Sequence, residues 1–108
     1  MKLKRWLWST GEPHGWAHWC PACRRTHVFA VDSPNIGNGA QWSFDGNQES
    51  PTFNPSMLIR HYEHDGTTVK EVCHYFLHAG HIQFLADCTH AMAGQIVPLP
   101  EYPEGEAP

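Results

Sequence analysis

The segment "EVCHYFLHAGHIQFLADCTH", residues 71–90, interleaves two kinds of reactive side chain, with Cys73 beside His74, Asp87 beside Cys88, and His90 two residues on. Thiolates and imidazoles bind zinc, whereas a histidine held by a carboxylate is the general-base half of a nucleophilic triad. The other two of the four cysteines lie in "WCPACRRTH", where Cys20 and Cys23 have the C-x2-C spacing by which one knuckle offers two thiolates to a metal. A redox C-x-x-C would want a helix beginning at its first cysteine, and here the following residues read as a turn entering a strand. A closed structural site needs four ligands. Cys20, Cys23, Cys73 and Cys88 are the expected set, with His27, His74 and His90 as imidazoles that can replace a thiolate.

A triad also needs a hydroxyl. The most constrained ones stand in "ESPTFNPSMLIR", where Pro51 and Pro55 restrict the backbone around Thr52 and Ser56. Ser56 falls where this loop meets the apolar run "MLIR", a junction that can present an Oγ beside free backbone N–H groups. The competing role is local, because Ser and Thr beside proline often satisfy the turn's own backbone.

Which elements would bring these groups together? Nine glycines and nine prolines are spread along the chain, apolar residues come in short runs, and no long amphipathic helix is visible. The expected class is mainly β, a small α+β fold with few or short helices, built on a compact antiparallel sheet stapled by zinc. Strands are expected near 15–20, 26–31, 41–45, 56–63, 68–78 and 81–87, with a helical turn over 88–93. Asp65-Gly66 marks a hairpin turn. A second hairpin turning at Ala79-Gly80 would pair Leu77 with Ile82, Tyr75 with Phe84 and Cys73 with Ala86. Cys73 and Cys88 would then share one face, while His74 and Asp87 would be diagonal neighbours on the other. A one-residue slip would exchange the faces of one strand.

The 108 residues suit one domain, 1–108, with a core over 16–100 and a loose, acidic, proline-rich tail over 101–108. Seven Lys plus Arg against eleven Asp plus Glu leave no basic stripe for a nucleic acid. "MKLKRWLWSTGEPHGW" is too short in its apolar part for a signal peptide or a membrane span, so a cytoplasmic protein with reduced thiols and Zn2+ is expected rather than disulfides. Most of the nine histidines are expected at the surface or in packing roles.

Three blocks in order, "WCPAC" with His27, "WSFDGNQESPTFNPSMLIR" and "CHYFLHAGHIQFLADCTHAMAGQIVPLP", resemble the BubE-type family of bacterial ubiquitination-like operons, also found in phages and prophages. The resemblance runs from about Trp16 to Pro103. It implies a zinc-containing, serine-type peptidase that acts on ubiquitin-like proteins or their conjugates. Carried over onto this chain, it makes Ser56 the nucleophile, His74 the base, Asp87 the orienting carboxylate and His90 a competitor for the base, with Cys20, Cys23, Cys73 and Cys88 holding the metal. Two other classes fit the residues: a hydrolase whose Cys/His-bound zinc activates water with Asp87 as base, and a non-catalytic zinc-ribbon-like binding protein of phage origin.

Overall fold

A computed structural model describes residues 1–105. Among the described residues eight strands form two antiparallel sheets. The first sheet has the order β1-β2-β3, with β1 at Lys4–Leu7, β2 at Pro13–Cys20 and β3 at Arg25–Ala30. The second runs β4-β5-β6-β7-β8, with β4 at Ser43–Phe44, β5 at Phe53–Tyr62, β6 at Val69–His78, β7 at His81–Phe84 and β8 at Ile96–Pro98. Among the described residues there is no helix. The helical turn expected over 88–93 is instead a chain of turns, closed by Ala93 N to His90 O at 3.2 Å and Gln95 N to Met92 O at 3.0 Å. Gly94, at φ 78°, ends it where a right-handed helix cannot continue.

The strand pattern follows alternation. Cys73, Tyr75 and Leu77 on β6, with Ile82 and Phe84 on β7, are buried, while Phe76, His78, His81 and Gln83 between them are exposed. The buried set meets Leu3, Cys20 and Phe29 from the first sheet side. At the centre Phe29 stacks on Phe53 at 4.2 Å between ring centroids, and Phe53 on Phe44 at 4.5 Å. Gly15 allows β2 and β3 to close up, because a Cβ there would lie 1.8 Å from the carbonyl oxygen of Phe29.

The hairpin turns at Ala79-Gly80 as expected, with Leu77 opposite Ile82 and Tyr75 opposite Phe84. Both turn residues have positive φ, 48° and 77°, the geometry of a type I′ turn. Alanine tolerates this poorly, and the neighbouring loop holds it: Thr52 Oγ1 accepts the Ala79 N–H at 2.8 Å and the Pro51 carbonyl accepts that of Gly80 at 2.9 Å. Thr52 therefore has the local role open to it in the sequence. The loop itself is fixed by Asp45 and Asn47, whose side chains accept backbone N–H groups of residues 47, 49, 50 and 52.

Several features differ from expectation, and β5 begins at Phe53 instead of residue 56. β7 stops at Phe84, so Cys73 has no ladder partner in Ala86 and Asp87 lies in a turn. Strands β1 and β8 were not anticipated, being short segments without clear alternation. Within the expected loose tail, Tyr102 is buried, hydrogen-bonds through its hydroxyl to Thr26, and donates its N–H to the Met1 carbonyl. Residues 106–108 of that tail lie outside the described residues.

Candidate active site and cysteine cluster

Cys73 and His74 are consecutive on β6 and leave it on opposite faces. On the outward face, His74 Nδ1 lies 2.9 Å from Asp87 Oδ2 and 3.2 Å from Oδ1. The carboxylate can only accept, so Nδ1 carries the proton and Nε2 presents its lone pair. Ser56 Oγ is 3.3 Å from that Nε2. The three side chains thus form one line, Asp87–His74–Ser56, half-covered and open to solvent. The Oγ···Nε2 distance is at the long end for a hydrogen bond, as is common before substrate closes a site.

Ser56 does not sit at a loop-to-strand junction. It lies inside β5, where the register against β6 shifts between Phe53 and Met57 and the chain bulges. A bulge re-aims a side chain, and here it turns Ser56 toward His74, which itself opposes Leu58. The Ser56 carbonyl is held from behind by Trp42 Nε1 at 3.2 Å. The aromatics Trp42, Phe44, Phe53 and Tyr75 serve packing, with Phe53 and Tyr75 fully buried.

The other face holds the cysteine cluster. Cys20, His27 and Cys73 place ligand atoms within 4.8 Å of one another, and so do Cys23, Cys73 and His90. Cys73 belongs to both sets. The mutual approach of the Cys20, Cys23 and Cys73 thiols holds Cys20 far below the ordinary thiol range and raises the other two. His27 Nε2 and His90 Nε2 are buried with no hydrogen-bond partner among the described residues. Soft thiol donors with two orphaned imidazole nitrogens are the donor chemistry of a tetrahedral zinc centre, so these residues fit the metal.

Around His27 the packing is built of rings. Its Nδ1 meets the Tyr75 hydroxyl at 3.1 Å, and the same hydroxyl lies 2.6 Å from His18 Nε2. Burial is the main cause that pushes His18 down to about 4 and His27 to about 3, so both rings are neutral near neutral pH. A neutral imidazole fixed through Nδ1 is the form in which histidine ligates metals.

Two residues sit elsewhere than the sequence placed them. Cys88 belongs to neither cluster: its Sγ lies 3.2 Å from both the backbone N and O of His74, bracketing the peptide group of that residue. Having left the strand, its direction no longer follows the alternation that put it beside Cys73. His90, the rival base, lies with the cysteines, its ring 4.7 Å from Phe84 and edge-on.

Residues 2–85 match the family model described as bacterial ubiquitination-like system serine protease (BubE). The chain belongs to this family. The BubE match begins earlier than the motif resemblance and ends earlier. It spans Cys20, Cys23, Ser56, Cys73 and His74 but stops short of Asp87, Cys88 and His90. The carboxylate therefore rests on geometry. No curated protein and no solved structure matches the chain. Sequence reasoning missed Trp42 as the support of the Ser56 carbonyl and Cys88 as the bracket of His74. Neither contact has a sequence signal, because both join segments through tertiary packing.

Proposed function

We propose that this BubE-family protein hydrolyses the acyl bond at the C-terminal end of a ubiquitin-like protein, maturing a precursor or releasing the protein from a conjugate. One observation supports this most: the hydrogen-bonded line Asp87–His74–Ser56, with the tautomer of His74 set by Asp87 and its Nε2 directed at Ser56. In the reaction His74 Nε2 takes the Ser56 hydroxyl proton as Oγ bonds to the carbonyl carbon. The leaving amine or alcohol departs with that proton as the acyl-enzyme forms. Water then attacks the ester, giving its proton to His74, and Ser56 regains it as the carboxylic acid product leaves. Asp87 stays ionised and stabilises the imidazolium between these steps.

The cysteine cluster is read as a structural Zn2+ site built from Cys20, Cys23 and Cys73, with an imidazole from His27 or His90 as fourth ligand in place of the expected Cys88. A thiolate-rich ion of this kind cross-links loops and strands and supplies no nucleophile. The pairing of Asp87 with His74 favours this reading over a zinc-water hydrolase that uses Asp87 as base. Elemental analysis of His27→Ala and His90→Ala proteins identifies the imidazole, since only loss of the ligand lowers the metal content.

The test of the activity combines labelling and cleavage. A small fluorophosphonate should label the wild-type protein at Ser56 and fail on Ser56→Ala, and a ubiquitin-like precursor should be cleaved only by the former. Full cleavage by Ser56→Ala would sink the serine mechanism. No labelling or cleavage by the wild-type protein, with binding of a ubiquitin-like protein retained in it and in both His74→Ala and Asp87→Ala, would instead favour the non-catalytic binding module.

A further inference from the structure

The outward face of the second sheet carries more than the Asp87–His74–Ser56 line. Two residues beyond His74, Phe76 is 38% exposed, an aromatic ring on the solvent side of the sheet. The register sets Phe76 opposite Gln83 and Gln83 opposite Ile96, itself 65% exposed, so the three form one row across β6, β7 and β8. A trough of about 310 Å³ opens beside Phe76 and Gln83 of this row, lined by Phe53, Asn54, Phe76, Leu77, His78 and Gln83. Two of its lining residues are near in sequence to the triad, Asn54 two residues before Ser56 on β5 and Phe76 two residues after His74 on β6.

The lining is chemically selective. It contains no Asp, Glu, Lys or Arg, although the chain has eleven acidic and seven basic residues. Its two carboxamides, Asn54 and Gln83, both exposed, have no hydrogen bond to any described residue, so donors and acceptors of both stand available to a ligand. An apolar floor of Phe53, Phe76 and Leu77, flanked by two amides and by His78 at one end, suits a polypeptide whose main chain is bonded by the amides while an uncharged side chain covers the Phe76 ring. Orientation follows from the triad. His74 must return its proton to the leaving group, and along β5 Ser56 stands between Leu58, opposite His74, and Asn54. The leaving group therefore lies toward Leu58, and the acyl side runs toward Asn54 and Phe76.

We propose that the trough over Phe76 is the acyl-side subsite, taking a large uncharged side chain of the substrate within two residues of the scissile carbonyl, with Asn54 and Gln83 binding its main chain. This rests on Ser56 being the nucleophile. Peptidyl diphenylphosphonates, which phosphonylate an active serine whatever the native substrate, test it when their acyl-side residue is varied. Probes carrying Leu or Phe should inactivate the wild-type protein at least about 10-fold faster than those carrying Asp or Lys. Gln83→Lys should raise the Asp-to-Leu rate ratio about 10-fold, by charge complementarity, and Phe76→Ala should shrink the advantage of Leu and Phe by a similar factor. Both positions are exposed, and unchanged thermal unfolding verifies that the variants fold.

A preference profile identical in the wild type and both variants, with Ser56 still labelled by a small peptide-free fluorophosphonate, overturns the subsite and leaves the nucleophile standing. Failure of that small reagent to label Ser56 overturns the nucleophile and the subsite with it.

Discussion

The two faces of β6 make the instructive comparison. His74, facing outward, has each ring nitrogen within hydrogen-bonding distance of a partner, Asp87 on one side and Ser56 on the other, and stands where a substrate can reach it. Cys73, the preceding residue, is buried among thiols and imidazoles of which two nitrogens have no partner among the described residues. The outward group has its internal hydrogen bonds made, whereas the inward cluster is a set of groups that could hold a metal ion. One peptide bond separates the proposed catalytic site from the proposed metal site, and Cys88 lies against the His74 backbone between them.

That contrast predicts different failures for neighbouring residues. Cys73→Ser should be the most severe change, because it removes the thiol shared by both clusters. Structural zinc contributes about 10 kcal/mol or more to small domains, so metal content and the cooperative unfolding transition should be lost together, as they should on chelation of the wild-type protein. If chelation leaves a folded, inactive protein that added zinc restores, the division between the two faces is wrong.

Ser56→Ala should act on the other face alone. The expected loss in kcat is about 10^4-fold or more, with zinc content and thermal stability unchanged. Asp87→Asn follows, with a fall of about 10^4-fold from the wrong imidazole tautomer, a figure taken from the serine-protease triad in general. Fluorophosphonate labelling should slow in parallel. Unimpaired labelling in this variant would mean that Asp87 orients nothing.

The smallest effect sharpens the picture at the bulge. Trp42→Phe keeps an aromatic ring against Phe29 but removes the indole N–H from the Ser56 carbonyl, worth about 1 kcal/mol net. A Tm lower by about 4–8 °C in calorimetry is expected for a domain of this size. A fall in activity larger than the stability change would show that the bond also aims Ser56.

Much of this was legible in advance because strand alternation is a local rule. The face assignment of Cys73, His74, Tyr75, Phe76 and Leu77 follows from period two once the turn at Ala79-Gly80 is fixed. The C-x2-C knuckle and the proline-bracketed Ser56 are likewise local signals. The rule failed where the strand did. β7 ends at Phe84, so the alternation could not place Cys88, whose Sγ lies against the His74 backbone and outside the two Cys/His groups. The alternation also could not see that the register of β5 shifts around Ser56.

The sequence by itself determined the class of fold, the turn and register of the β6–β7 hairpin, and the separation of a thiol from an imidazole by one peptide bond, because each depends on near neighbours along the chain. Tertiary structure alone decided which histidines join the cysteines, where Cys88 points, and that a hydroxyl from β5 meets His74. Those contacts are made by packing between strands and loops distant in sequence, and no local pattern fixes the direction of a side chain once its residue has left the ladder.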